Sequence, residues 1–259
     1  MGKAIAIFNQ KGGVGKTTTN INLSACLAAE GKKVLVVDID PQGNTTSGIG
    51  IVKRTLKETL YDVLANDNYD TKRAILKTKT KNLDILPASV DLAGAEIELV
   101  NIEGREKRLK KAIDKIRPDY DYIFIDCPPS LGLLTINSLT AVDSVLIPIQ
   151  CEFYALEGVS QLMSTIELVK KNMNPNLEIE GVILSMFDGR TNLSLQVARE
   201  AKQYFGEKLF KTVIPRNVRL AEAPSYGMSI LTYDINSTGA KAYRKFAEEF
   251  LAREGKRHG

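Results

Sequence analysis

At 259 residues, 44% hydrophobic and 25% charged, the chain has the make-up of a globular protein able to bury a substantial core, which excludes a disordered chain. No apolar run approaches the roughly 18 residues of a membrane-spanning helix, and the N-terminus enters a strand without a basic leader, so a cytoplasmic protein is expected. The formal net charge is only +4, yet residues 190–259 carry 13 Lys/Arg against 7 Asp/Glu while residues 1–189 carry 22 against 24. The whole positive excess thus lies in the last quarter, as expected of a face that meets a polyanion.

Short apolar runs alternate with helix-period segments throughout. This is the pattern of βαβ units, and it predicts an α/β fold with a mostly parallel twisted sheet flanked by helices. No linker or internal repeat divides the chain, so residues 1–259 read as a single domain. The three cysteines, Cys26, Cys127 and Cys151, are spaced too widely for a metal motif and are odd in number, which suits reduced core thiols.

The first expected strand, 4–8, runs into Phe8-Asn9-Gln10-Lys11-Gly12-Gly13-Val14-Gly15-Lys16-Thr17-Thr18 and then a helix over 16–30. Strand, glycine-rich loop and helix make a P-loop. Its glycines let backbone N–H groups turn inward around a phosphate, and the helix N-terminus adds partial positive charge. Lys16 and Thr17 sit where the loop needs a phosphate cation and a Mg²⁺ hydroxyl. The common pattern G-x-x-x-x-G-K-[ST], set on Gly15-Lys16-Thr17, asks for a glycine where this chain has Gln10, and beside it the loop carries a second lysine, Lys11. A lysine there is poorly placed to fold back on its own loop's phosphates and better placed to reach a nucleotide held by a facing subunit.

The second strand, 33–38, ends in Asp38-Ile39-Asp40-Pro41-Gln42-Gly43-Asn44. Ligands of open α/β sheets collect at the carboxyl ends of strands, and alternation about Ile39 is expected to put both acids on one side. One is expected to order the site and the other to position attacking water. Pro41 and Gly43 mark a turn able to move when a γ-phosphate arrives. A helix over 56–66 and a lysine-rich stretch over 72–81, read as solvated surface, lead to a strand at 83–87 and a helix at 104–116.

The strand 122–126 delivers Asp126, placed to hold a water on Mg²⁺ beside the P-loop hydroxyl, and residues 128–132 follow it as a switch segment. Helices at 131–139, 155–171, 194–205 and 239–253 then alternate with strands at 144–149, 180–187 and 209–214.

From residue 2 to about residue 250 the chain resembles the ParA-type partition ATPases, including their chromosomal Soj members, through segments 11–18, 37–44, 125–132, 148–154 and 214–227. The resemblance implies a P-loop NTPase of the deviant Walker A type, in which two subunits close face to face around two ATP molecules. It casts Lys11 as the signature lysine that reaches the partner's phosphates and Lys16 as the P-loop lysine. Gly12, Gly13, Val14, Gly15 and Thr18 complete the phosphate loop. Thr17, Asp40 and Asp126 serve Mg²⁺, and Asp40 also positions water.

The same resemblance implies an adenine pocket at Asp188, Pro215 and Asn217. It also implies nonspecific DNA binding through Arg190, Arg216 and Arg219, with Lys241, Arg244 and Lys245 as lesser additions. The partners implied are a second copy of the chain in an ATP-dependent homodimer, double-stranded DNA and a ParB (Spo0J)-type protein, which would place the chain on the nucleoid.

Two rival readings remain. A MinD-like membrane ATPase shares the loop but binds lipid through a basic amphipathic tail. Here Tyr243, Phe246, Ala247, Phe250 and Leu251 form an apolar helix face with no further apolar segment after it, so packing on the sheet is expected and stable membrane association is not. A metal-cluster carrier of the same superfamily is disfavoured by the cysteine spacing.

Overall fold

The computed structural model describes residues 2–152 and 157–258. Its centre is one sheet of eight strands: β1 (Lys3–Ile7), β2 (Val34–Asp38), β3 (Leu76–Lys77), β4 (Leu83–Leu86), β5 (Tyr122–Asp126), β6 (Ser144–Gln150), β7 (Glu178–Phe187) and β8 (Leu209–Pro215). Their spatial order is β3-β4-β2-β5-β1-β6-β7-β8, and every neighbouring pair is parallel except β3 with β4.

The longer helices are α1 (Lys16–Ala29), α2 (Arg108–Ile116), α3 (Leu133–Ala141), α4 (Glu157–Asn172), α5 (Asn192–Phe205) and α6 (Thr238–His258). The central strands are continuous apolar runs because both faces are covered. Ala4, Ala6, Leu35, Val37, Ile123 and Ile125 pack into the core on the side of α2 to α5. Alternate residues Ile5, Ile7, Val34, Val36 and Phe124 face α1 and α6.

The terminal helix α6 is part of this core. Tyr243, Phe246, Ala247 and Phe250 are all buried, and the Phe250 ring meets Tyr122 edge-on at 5.4 Å between centroids. Each such aromatic contributes about 1.5–3 kcal/mol by burial, so the apolar face of the helix is spent on the sheet and is not a lipid-binding face. Among the described residues no helix is long and apolar enough to cross a membrane.

The seven expected strands are present with small shifts of their ends, and the sheet has one more. The stretch 72–81 is not plain solvated surface: it contains a short helix, Thr71–Ala74, and the antiparallel edge strand β3. Lys77 of β3 pairs with Asp84 at 2.7 Å, and charged lysines on an edge discourage further strands from adding.

The helix expected over 56–66 starts only at Leu60, because Thr59 and Asp62 form a capping box that fixes its N-terminus there. The one expected over 104–116 is divided into a 3-10 turn, Arg105–Lys107, and α2. The helix at 131–139 lies two residues later, at Leu133–Ala141, and a short helix at Leu92–Glu98 had no expectation. Residues 153–156, where the helix expected over 155–171 begins and the segment 148–154 ends, lie outside the described residues.

Candidate nucleotide and magnesium site

The site is built where β1, β2 and β5 end side by side. Register pairs Ile7 with Asp126 and Asp38 with Asp126, so the chain leaves all three strands at one edge of the sheet. From β1 the backbone turns through Gly13 (φ +76°) and Gly15 (φ +90°), conformations open to glycine at little cost, and Gly15 caps α1. Ser185 at the end of β7 donates its hydroxyl to the Val14 carbonyl at 2.7 Å and holds the loop against the sheet. The loop and the switch turn border an open cleft of about 900 Å³, lined by Gly13, Lys16, Thr17, Thr18, Asp40 and Pro129 among others.

Lys16 is buried, and its ammonium donates to the Lys11 carbonyl at 3.0 Å. Burial pulls its pKa below the ordinary lysine value, opposed by the nearby Asp126 and Asp40 carboxylates. The Lys11 side chain points away from its own loop and lies 2.9 Å from Glu152 after β6, with both side chains over 40% exposed (42% and 43%). A Cβ placed on Gly12 meets no atom within 4 Å, so the loop is open on that side.

Asp126 is fully buried at the foot of the cleft. Its Oδ2 accepts the hydroxyls of Thr17 and Thr45, each at 2.7 Å, while Oδ1 has no hydrogen-bond partner. Burial raises its pKa, with the two hydroxyls and Lys16 opposing. A hydroxyl beside an orphaned carboxylate oxygen suits a hard cation that keeps most of its waters, as Mg²⁺ does. Thr17 could ligate such an ion directly, and Asp126 could hold one of its waters. Among the described residues no three His, Cys, Asp or Glu side chains gather to form a metal cage.

The two acids of the second strand part company. Asp38 is the last residue of β2 and is wholly buried, its Oδ2 accepting both the backbone N–H and the hydroxyl of Thr46 at 2.7 Å. Its pKa is raised by burial and by Asp126. Asp40 lies beyond the strand, so strand alternation does not carry it to Asp38's side. It lines the cleft, and its Oδ1 accepts the Gln42 N–H at 2.9 Å. Asp38 therefore orders the turn and Asp40 is the acid presented to the cleft.

Next to the cleft a smaller, largely apolar cavity of about 320 Å³ is lined by Gly15, Met186, Ile214, Pro215, Asn217 and Tyr243 among others. The expected base-contacting residues are divided by the structure. Pro215 and Asn217 line this cavity, although the Asn217 side chain also caps the helix Val218–Glu222 and donates to Thr238 at 2.7 Å. Asp188 does not line it: its two carboxylate oxygens take Arg190 at 2.9 and 2.8 Å, which holds its pKa at about 2.

Of the three arginines, Arg190 and Arg216 follow the neighbouring strands β7 and β8, and Arg219 lies on the next short helix. Arg190 is bound to Asp188, and Arg219 to Glu222 at 2.9 Å. The residues the sequence reading missed are Thr45, Thr46, Ser185 and Glu152. Thr45 and Thr46 directly follow Asn44, and a pair of hydroxyls after an acidic switch turn is a signal that could have found them. The other two act only through contacts far along the chain.

Fold and site together define a P-loop ATPase. Residues 2–179 match the family described as an AAA domain. The chain is 61% identical over 252 residues to the sporulation initiation inhibitor protein Soj of Bacillus subtilis, covering 97% of this chain and 99% of that protein. It is 52% identical over 254 residues to the chromosome partitioning protein ParA of Myxococcus xanthus, covering 98% and 89%. Among solved structures, cobyrinic acid a,c-diamide synthase from Mycobacterium smegmatis with bound ADP and magnesium superimposes with a TM-score of 0.86 at 38% identity, over 100% of this chain and 97% of that one. The chain belongs to the ParA/Soj family of chromosome partitioning ATPases.

Proposed function

We propose that this protein is an ATP-dependent dimerisation switch that binds DNA without sequence preference, is reset by hydrolysis under stimulation by a ParB-type partner, and drives chromosome or plasmid partitioning. The observation that carries the reading is the pair of lysines in one loop: Lys16 turned inward and buried, Lys11 turned outward beside an open Gly12.

Lys16 and the loop N–H groups bind the phosphates, and Thr17 with Asp126 holds Mg²⁺. Bound there, the ion would neutralise charge on the phosphate oxygens, which phosphoryl transfer needs more than covalent help. Asp40 positions the attacking water. Lys11 acts across the interface on the nucleotide of the facing subunit, which makes turnover depend on dimerisation. Arg190, Arg216 and Arg219 contact DNA phosphates from the closed dimer, and such contacts carry no sequence information.

The test compares ADP with ATP. Sedimentation and DNA binding are measured with each nucleotide and Mg²⁺, and the reading expects a monomer that releases DNA in ADP and a DNA-bound dimer in ATP. Equal DNA binding in both nucleotides would overturn it.

A further inference from the structure

The end of β7 carries a backbone anomaly that the phosphate chemistry does not use. Met186 has φ +51°, and the only other non-glycine residue with positive φ among the described residues is Asn82 (φ +64°), a type that tolerates it. A long unbranched side chain does not adopt this conformation unless its surroundings impose it, and such residues cluster at ligand sites.

The surroundings here impose it from both sides. Ser185 accepts the Cys151 N–H at 3.2 Å through its carbonyl while its hydroxyl holds Val14 at 2.7 Å, and the Phe187 carbonyl accepts the Arg216 N–H at 3.3 Å. Between these anchors the pairing of β7 with β8 shifts register, from Leu184↔Val213 to Phe187↔Pro215. A bulge of this kind turns a side chain out of the alternation of its strand. The result is that Met186 lines both the phosphate cleft and the apolar cavity beside it, at the seam where a nucleoside would join its phosphates.

We infer that Met186 is a specificity residue for the nucleotide, its thioether packing against the purine as the wall shared by the two cavities. The inference rests on the reading of the smaller cavity as the base pocket. A polarisable sulfur gains from contact with an aromatic face, and three rotatable bonds let it follow the ring. Leucine keeps the bulk without the sulfur, and alanine removes both.

The experiment measures binding of ATP and of inorganic tripolyphosphate, each with Mg²⁺, to the full chain and to Met186→Ala, Met186→Leu and Ala221→Trp. Tripolyphosphate has no base. Met186→Ala is expected to weaken ATP by about 3- to 10-fold and leave tripolyphosphate unchanged, with Met186→Leu in between. Ala221 is exposed and lines the smaller cavity, so tryptophan there is expected to obstruct it and to weaken ATP alone.

If Met186→Ala weakens both ligands equally, Met186 only shapes the loop and the inference is overturned. If Ala221→Trp weakens ATP while Met186→Ala leaves it unchanged, the pocket stands and the role of Met186 does not. If Ala221→Trp has no effect on ATP, the base lies elsewhere and both readings fall.

Discussion

The ammonium of Lys16 donates to the carbonyl oxygen of Lys11 at 3.0 Å, so one lysine of the loop fixes the backbone from which the other projects. Removing it takes away a phosphate contact and the brace beneath Lys11 together. Lys16→Ala is expected to lose roughly 1.5–3 kcal/mol of nucleotide binding, about tenfold or more in affinity, and with it dimerisation and DNA binding. Titration calorimetry with ATP checks this, and unchanged affinity would sink the P-loop assignment.

Asp40 faces the cleft but holds no part of the phosphate loop, so binding and turnover should separate there. Asp40→Ala is expected to bind Mg-ATP, accumulate as a dimer on DNA and lose about 10²-fold or more in hydrolysis. Asp40→Asn keeps an acceptor for the Gln42 N–H and should behave in the same way, because it is the charge that matters. A rise in light scattering that persists after ATP addition is the expected signal. A variant that stays monomeric with normal turnover would leave Asp40 only its bond to the turn.

Gly12 has open space where a Cβ would stand, so a larger residue costs the isolated subunit little. Gly12→Val is therefore expected to fold and bind ATP normally yet remain a monomer in sedimentation, because the added methyls stand beside Lys11 on the proposed contact face. A variant that still dimerises with ATP would show that this face is not where the subunits meet.

The arginines at the ends of β7 and beyond β8 should neutralise phosphates without reading bases. Arg190→Ala and Arg219→Ala are each expected to weaken DNA binding alike for every sequence, to leave ATP-driven dimerisation intact and to reduce the slope of log affinity against log salt by about one unit. Both are engaged by acids, Asp188 and Glu222, so DNA must compete with an existing partner at each. Filter binding over a salt series measures the slope, and an unchanged slope in both variants would move the DNA face elsewhere.

The buried strands were legible because a run such as Val34 to Asp38, apolar on both faces, has no other stable use in a chain of this pattern. The edge strand β3 was not, since one half-buried leucine and one exposed lysine carry no periodic signal and depend on β4 for their pairing. The phosphate loop, Asp40 and Asp126 were readable as local motifs. The separation of Asp38 from Asp40 was not, because strand alternation stops where β2 stops and the Thr46 contacts set the path of the chain beyond it. Met186 was invisible for a similar reason: its conformation is imposed by Cys151, Val14 and Arg216, which a local pattern cannot bring together.

The strand that carries the phosphate loop, β1, lies between β5 and β6, whose residues come well over a hundred positions later in the chain. Contacts so distant form late, and domains generally complete themselves only when such segments have been made. During synthesis the loop is made long before the two strands that flank β1, and the second of them is complete only when Gln150 has emerged. A growing chain released before that point would carry the full lysine pair on a sheet still open beside it.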